Sequence, residues 1–159
     1  MTATDEHADL WLNPGELASW LSVVRLITRL PSAIDAQLQR DAGLSMVEYM
    51  TMAMLADSPE WTLRMSELAE RTSTSLSRLS HLVKRLESRN YVRREPDPTD
   101  GRFTNAILLP PGMRLLESAA PAHVAFIRHL IVDNLSSESL RRMGRDADRI
   151  TRLIESPAR

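Results

Sequence analysis

Seven basic side chains fall between Arg71 and Arg94: Arg71, Arg78, Lys84, Arg85, Arg89, Arg93 and Arg94. Only one acidic residue, Glu87, lies among them. The stretch carries +6, and since the whole chain has a formal net charge of −1, everything outside it sums to −7. A near-neutral protein with one strongly basic element offers that element to an anionic partner. An isolated basic run usually means only a solvated helix face. Here the order of features favours DNA instead. A hydroxyl-rich turn, Thr72-Ser73-Thr74-Ser75, opens an amphipathic basic helix, and a polar hairpin tip ending in Arg102 follows.

Guanidinium groups take guanine in bidentate fashion, whereas hydroxyls and amides at a helix start more often hold phosphates. Ser75, Ser77, Arg78, His81 and Arg85 are therefore candidates for the major groove. Lys84 is the single lysine of the chain and suits a phosphate, because a point charge positions without reading. Arg64 and Arg94 are candidate backbone contacts. Arg102, at the hairpin tip, is placed for a minor groove, where the potential is most negative over narrow A·T-rich tracts. The competing role for each is a solvated surface charge.

Other chemistry finds little support. There is no nucleophile elbow, phosphate loop or paired-histidine metal motif, and Ser, His and Asp show no spacing that selects a triad. An enzyme is not expected, nor is a cofactor. The absence of cysteine excludes disulfides, thiolate metal sites and a cysteine redox switch. His123 and His129 are six apart on one helix, on different faces, so no metal pair is expected. For a small ligand, Trp20 and Tyr49 stand on helices that can line a cleft above the DNA-binding part, with Trp11 and His123 as weaker candidates. For Trp20, dimer or core packing is favoured over ligand contact. The methionine cluster of residues 45–57 fits core packing better than oxidant sensing.

The elements that must position these residues can be read in order. Residues 1–12, including His7, are expected to form a flexible arm. Asn13 caps the first helix, with Pro14 at its first position and Glu16 closing a capping box. Leu17, Trp20, Leu21, Val24, Ile27, Leu30, Ile34 and Leu38 give a stripe about seven turns long. Pro31 is expected to kink or split that helix. Gly43 ends it, and Ser45 with Glu48 starts an apolar helix over 45–57, expected to be buried. A brief strand at Leu63, a short helix over 66–71 and a longer one over about 75–89 make a helix-turn-helix. Leu76, Leu79, Val83 and Leu86 are its inward stripe. Asn90 stops the helix in a left-handed conformation. Strands at 91–95 and 103–109 flank the loop Pro96-Asp97-Pro98-Thr99-Asp100-Gly101-Arg102. A helix over 112–134, interrupted near Pro121, and a last helix capped by Ser136 complete the chain. Leu140, Met143, Ala147, Ile150 and Leu153 stripe the last one. Amphipathic helices at both ends point to a homodimer that presents two recognition helices to a pseudo-palindromic site.

Taken together, five segments resemble the multiple-antibiotic-resistance regulator (MarR) family. They are Leu44-Ser45-Met46-Val47-Glu48-Tyr49, Arg64-Met65-Ser66-Glu67-Leu68-Ala69, Leu82-Val83-Lys84-Arg85-Leu86-Glu87, Val92-Arg93-Arg94-Glu95-Pro96 and Asp97-Pro98-Thr99-Asp100-Gly101-Arg102. The resemblance spans about residues 14–155. It implies a mainly α winged helix-turn-helix fold with a small β-hairpin wing and terminal helices that dimerise. It also implies a repressor of transcription, released from double-stranded DNA by a small aromatic or phenolic ligand. Within the wing it assigns Asp100 to hold Arg102 for the minor groove. Three departures stand out. Asn90 replaces the usual glycine at the end of the recognition helix. Leu109-Pro110 replaces the usual Leu-Thr, which moves the next helix start by a residue or two. The lack of cysteine removes thiol-based peroxide sensing. The implied organisation is an N-terminal arm and dimerisation helix over 1–44, the winged helix-turn-helix over 45–109 and C-terminal dimerisation helices over 110–159. With no apolar run near the ~20 residues of a membrane span and no signal-peptide plan at the N-terminus, a soluble cytoplasmic protein is expected. The rival readings are a winged-helix module that binds protein and a DNA-binding protein without a ligand.

Overall fold

The computed structural model describes residues 11–156, so most of the expected N-terminal arm, with His7, lies outside the described residues. Trp11 and Leu12 are exposed. Helix α1, Pro14–Ala42, starts from the capping box read from the sequence. Asn13 Oδ1 accepts the Gly15 and Glu16 amides at 2.9 and 3.0 Å, and Glu16 Oε2 accepts the Asn13 amide at 2.8 Å. These bonds satisfy amides that have no partner within the helix. Of the two outcomes expected of Pro31, a kink or a split, the split does not occur. Pro31 lies on an exposed face, where water can take the carbonyl that loses its donor. Gly43 closes the helix at φ 62°, a left-handed conformation that costs glycine nothing.

Helix α2, Met46–Ala56, begins with the Ser45–Glu48 capping box. Its burial is less complete than its composition promised. Met52 and Leu55 are fully enclosed, Met46, Met50 and Met54 are half-buried, and Val47 is exposed. Strand β1, Thr62–Arg64, leads into α3, Met65–Arg71, and then α4, Leu76–Ser88. Strands β2, Val92–Pro96, and β3, Thr104–Leu108, form the wing. The sheet is antiparallel in the order β1-β3-β2, with Leu63 and Arg94 both opposite Ala106. Asn90 takes φ 59° at the end of α4, as its capping role requires.

Helix α5, Pro110–Leu130, starts at the proline itself, with no side-chain cap at Leu109. Pro110 sits where a missing amide proton costs nothing. Pro121 is exposed and does not interrupt α5, which corrects the expected break. At Gly112 a Cβ would stand 2.5 Å from the Tyr91 carbonyl oxygen, so only glycine lets α5 sit this close to the residue that leads into β2. Helix α6, Ser137–Glu155, is capped by Ser136, whose hydroxyl accepts the Ser139 amide.

One core joins α2, α3, α4, the sheet and the start of α5, with Leu44, Leu68, Leu79, Val83, Leu86 and Leu108 among its members. The inward stripe of α4 is Leu79, Leu82, Val83 and Leu86. Leu76 was expected in it but is 53% exposed. It has roughly the right helical phase, yet it lies one turn beyond the core, in the mouth of a cleft between α4 and the wing. Pro14–Ala42 and Pro110–Asn134 are long and apolar enough, by length and composition, to cross a membrane. Neither is an uninterrupted apolar run, since charged residues such as Arg25 and Arg29 in the first and Arg114 and Glu117 in the second divide them.

Candidate nucleic-acid interface

The turn ahead of α4 is held by its own hydroxyls. Thr72 Oγ1 donates to the Leu68 carbonyl at 2.7 Å, and the Thr74 amide reaches the Ala69 carbonyl at 3.0 Å. Ser73 adopts φ 49°, and Ser75 Oγ accepts the Arg78 amide at 3.3 Å as the helix cap. With the buried stripe fixed against α3 and the sheet, helical periodicity turns Ser77, Arg78, His81, Lys84 and Arg85 outward together, and all five are exposed.

Arg85 is shared between this face and the fold. Its Nε donates to Glu48 Oε1 at 3.3 Å while most of the side chain stays in solvent. Glu48 is only 6% exposed and also stands 4.0 Å from Arg89. The α2 carboxylate thereby tethers α4. Arg94 is more committed. Its Nη2 and Nε donate to Glu87 Oε2 at 2.6 and 3.0 Å, its amide donates to Glu87 Oε1 at 2.9 Å, and its Nη1 donates to Ser80 Oγ at 3.2 Å. The hydrogen bond from Arg94 holds the Glu87 carboxyl below its ordinary range. Arg94 thus ties β2 to α4, and its guanidinium is largely spent on that tie.

The wing is built around a residue the sequence reading passed over. Asp97, 7% exposed, accepts the Thr99 amide at 2.9 Å, the Thr99 hydroxyl at 2.6 Å and the Asp100 amide at 3.2 Å. Arg64 Nε donates to its other oxygen at 2.8 Å. The Thr99 hydroxyl and amide, followed by Arg64, hold its carboxyl well below the usual range. Asp-Pro-Thr is the signal for such a turn, since an aspartate readily bonds the backbone two residues on. The Arg64 guanidinium also lies 4.5 Å from the centroid of the Phe103 ring, so it braces the wing from β1. At the tip, Arg102 Nη2 and Nε donate to Asp100, at 2.6 Å in the shortest case. That pairing lowers the Asp100 carboxyl and raises Arg102, whose side chain is 85% exposed. The pair fixes an exposed guanidinium in the loop of the hairpin.

Two of the four ligand candidates come together. The Tyr49 and His123 rings lie 4.7 Å apart at 54°, and His123 Nδ1 is 2.8 Å from Gln37 Oε1. Burial lowers the His123 imidazole and raises the Tyr49 phenol from their ordinary values. Tyr49 lines an open cleft of about 330 Å³ with Ala53, Met113 and Leu116, and with Asp57 and Glu117 at hand. Of the four candidates only Tyr49 lines it; His123, Trp11 and Trp20, which is 51% exposed, are not among its walls. Among the described residues no group of three or more His, Asp or Glu is placed to hold a metal ion.

A two-helix turn, a basic outward face and a hairpin bearing a fixed arginine define a winged-helix DNA-binding transcriptional regulator. Residues 42–102 match the model of the MarR family. Sco3205, a MarR family transcriptional regulator from Streptomyces coelicolor solved in complex with DNA, is 40% identical. The alignment covers 93% of this chain and 92% of that one, with a TM-score of 0.87. AbsC, another MarR family regulator from Streptomyces coelicolor, is 33% identical over 91% of this chain and 97% of that one, also at 0.87. The Mycobacterium tuberculosis regulator MosR, solved with DNA, shares the fold at 24% identity and a TM-score of 0.71, covering 86% and 95%. No curated protein sequence matches the chain significantly. The chain belongs to the MarR family.

Proposed function

We propose that the protein is a repressor that binds a pseudo-palindromic operator in double-stranded DNA as a homodimer in the cytoplasm, and that a small aromatic or phenolic ligand releases it. The observation that carries this reading is the pairing of two exposed features. One is the Ser77, Arg78, His81, Lys84 and Arg85 face of α4, and the other is the salt-bridged Arg102 at the wing tip. The first suits a major groove and the second the adjoining minor groove. Ser75 and Lys84 serve phosphates. Arg64 and Arg94 act on DNA mainly through the wing they brace. Residues 45–109 form the DNA-binding unit, and the helices over 1–44 and 110–159 bring two copies together.

The ligand acts from the Tyr49 cleft, between α2 and α5. That cleft carries two carboxylates, Asp57 and Glu117, and no arginine. It favours a neutral phenol over an aromatic acid, because an anion there would meet like charge. Footprinting on upstream DNA, repeated with a panel of phenols and aromatic acids, tests the whole reading. The expected result is a protected pseudo-palindrome with half-sites one duplex turn apart, lost on adding a phenol. Salt separates DNA binding from a protein-docking role: affinity should fall linearly on a log–log plot as salt rises. A flat response, or no binding to any duplex, would favour a protein partner.

A further inference from the structure

Leu76 is the first residue of α4 and stands half in water between the two elements that reach DNA. It lines a cleft of about 270 Å³ whose far wall is the wing. Leu76, Phe103 and Met65 give the cleft its apolar surface, and Ser66, Ser80 and Thr104 contribute hydroxyls. Two guanidiniums border it, but each already carries a carboxylate at 2.6 Å: Arg94 has Glu87 and Arg102 has Asp100. The cleft is therefore close to neutral. It is built for an occupant with an apolar body and one anionic edge that hydroxyls can reach.

Its position names that occupant. A helix in the major groove, about 12 Å wide, and a wing tip in the neighbouring minor groove, about 6 Å wide, are divided by one sugar–phosphate strand. The space between α4 and the wing must straddle that strand. We propose that the cleft seats one deoxyribose and its phosphate, with Leu76 and Phe103 against the sugar and the three hydroxyls toward the phosphate. Ser80 Oγ accepts from Arg94 at 3.2 Å and keeps its own proton to donate. Leu76 then adds affinity without reading sequence. The inference rests on the reading that α4 and the wing occupy adjacent grooves.

The test uses the full chain, its footprinted duplex and a scrambled duplex of equal length. Leu76→Ser should weaken both by a similar factor, about 5- to 10-fold, as expected for losing one apolar contact. Its log–log salt slope should match wild type, because no charge is removed. Leu76→Met should restore binding. An unchanged melting curve for the serine variant would show that the fold is not the cause. Replacing thymine by deoxyuridine throughout the footprint should leave the ratio of wild type to variant as it was. A loss confined to the cognate duplex, or one abolished by deoxyuridine, would make Leu76 a reader of thymine methyls and overturn the proposal. Unchanged affinity on both duplexes would overturn it too. So would loss of a benzoate-induced thermal shift with DNA binding intact, which would give the cleft to a small carboxylate. Arg78→Ala on the same duplexes keeps the parent reading separate. If that variant loses cognate preference while Leu76→Ser binds as wild type, only the cleft assignment falls. If wild type does not distinguish the two duplexes, the sequence-specific reading falls.

Discussion

In the DNA-binding part, Met52, Leu55, Leu68, Leu79, Val83, Leu86 and Leu108 are withdrawn almost completely from water. Helix α6 buries no side chain at all, and α1 buries only Ile34, Gln37 and Leu38, near its C-terminal end. Yet the terminal helices are not short of apolar residues. Leu17, Trp20, Leu21 and Ile27 are exposed along α1, and Ile150, Leu153 and Ile154 along α6. Burying one such side chain is worth about 1.5–3 kcal/mol, so a row of them left in water marks an interface. The winged unit supplies its own partners, whereas the terminal helices carry apolar rows with no partner among the described residues, which is what the proposed homodimer would cover. The polar tethers follow the same division. Those that shape the DNA face, Glu48 to Arg85, Glu87 to Arg94 and Asp97 to Arg64, all close within the winged unit.

The sharpest way to break this comparison is to spoil the terminal faces and leave the winged unit alone. Ile150→Asp combined with Leu153→Asp should give a monomer by sedimentation and keep the helical content of the core. Operator affinity should drop about 100-fold or more, because the two half-sites would no longer be bound as one linked event. A variant that stays dimeric would move the interface elsewhere. Next in size is Arg78→Ala, expected to cost about 1–3 kcal/mol on the cognate site and less on random DNA. Equal losses on both would make Arg78 a phosphate contact. Arg102→Ala should cost less, on the order of 1 kcal/mol for one positioned contact, and should lower the preference for A·T-rich flanks while the dimer persists. Unchanged affinity would remove the wing tip from the interface.

How far the sequence could be read depends on the range of the interactions involved. Both capping boxes, Asn13 with Glu16 and Ser45 with Glu48, span three residues and were legible in full. So were the left-handed Asn90 and Gly43 and the order of elements through the wing. The break expected at Pro121, and the split that was one of two outcomes expected at Pro31, do not occur: both prolines are exposed, so the freed carbonyls can be solvated, and exposure is a tertiary property. Leu76 was placed inside because periodicity gives phase and not where the core ends. Arg94 looked like a free cation beside DNA because its partner, Glu87, is seven residues away across a helix–strand junction. Arg64 and Asp97 lie 33 residues apart, and no local pattern joins them. The pairing of Tyr49 with His123, and the absence of Trp20 from the cleft that Tyr49 lines, likewise depend on how α1, α2 and α5 pack.

The smallest expected effect concerns the joint between the two regions, where His123 of α5 meets Tyr49 of α2 and Gln37 of α1. Burial lowers the His123 imidazole, so the folded chain holds it neutral under conditions where the unfolded chain takes up a proton. Below the ordinary imidazole value of about 6.5 the unfolded state therefore binds more protons, and stability falls as pH falls through that window. Asp97 and Asp100 do not contribute there. Their folded values are depressed below the carboxylate range, so the stability they add is intact above about pH 4 and is lost only in stronger acid. Melting temperature measured from pH 7.5 down to 5.5 should thus decline slightly, and His123→Gln should flatten that decline. The wing should be insensitive over the same range, so the salt-bridged Arg102 should keep its share of DNA affinity. A decline that survives in His123→Gln would assign the proton uptake to another group.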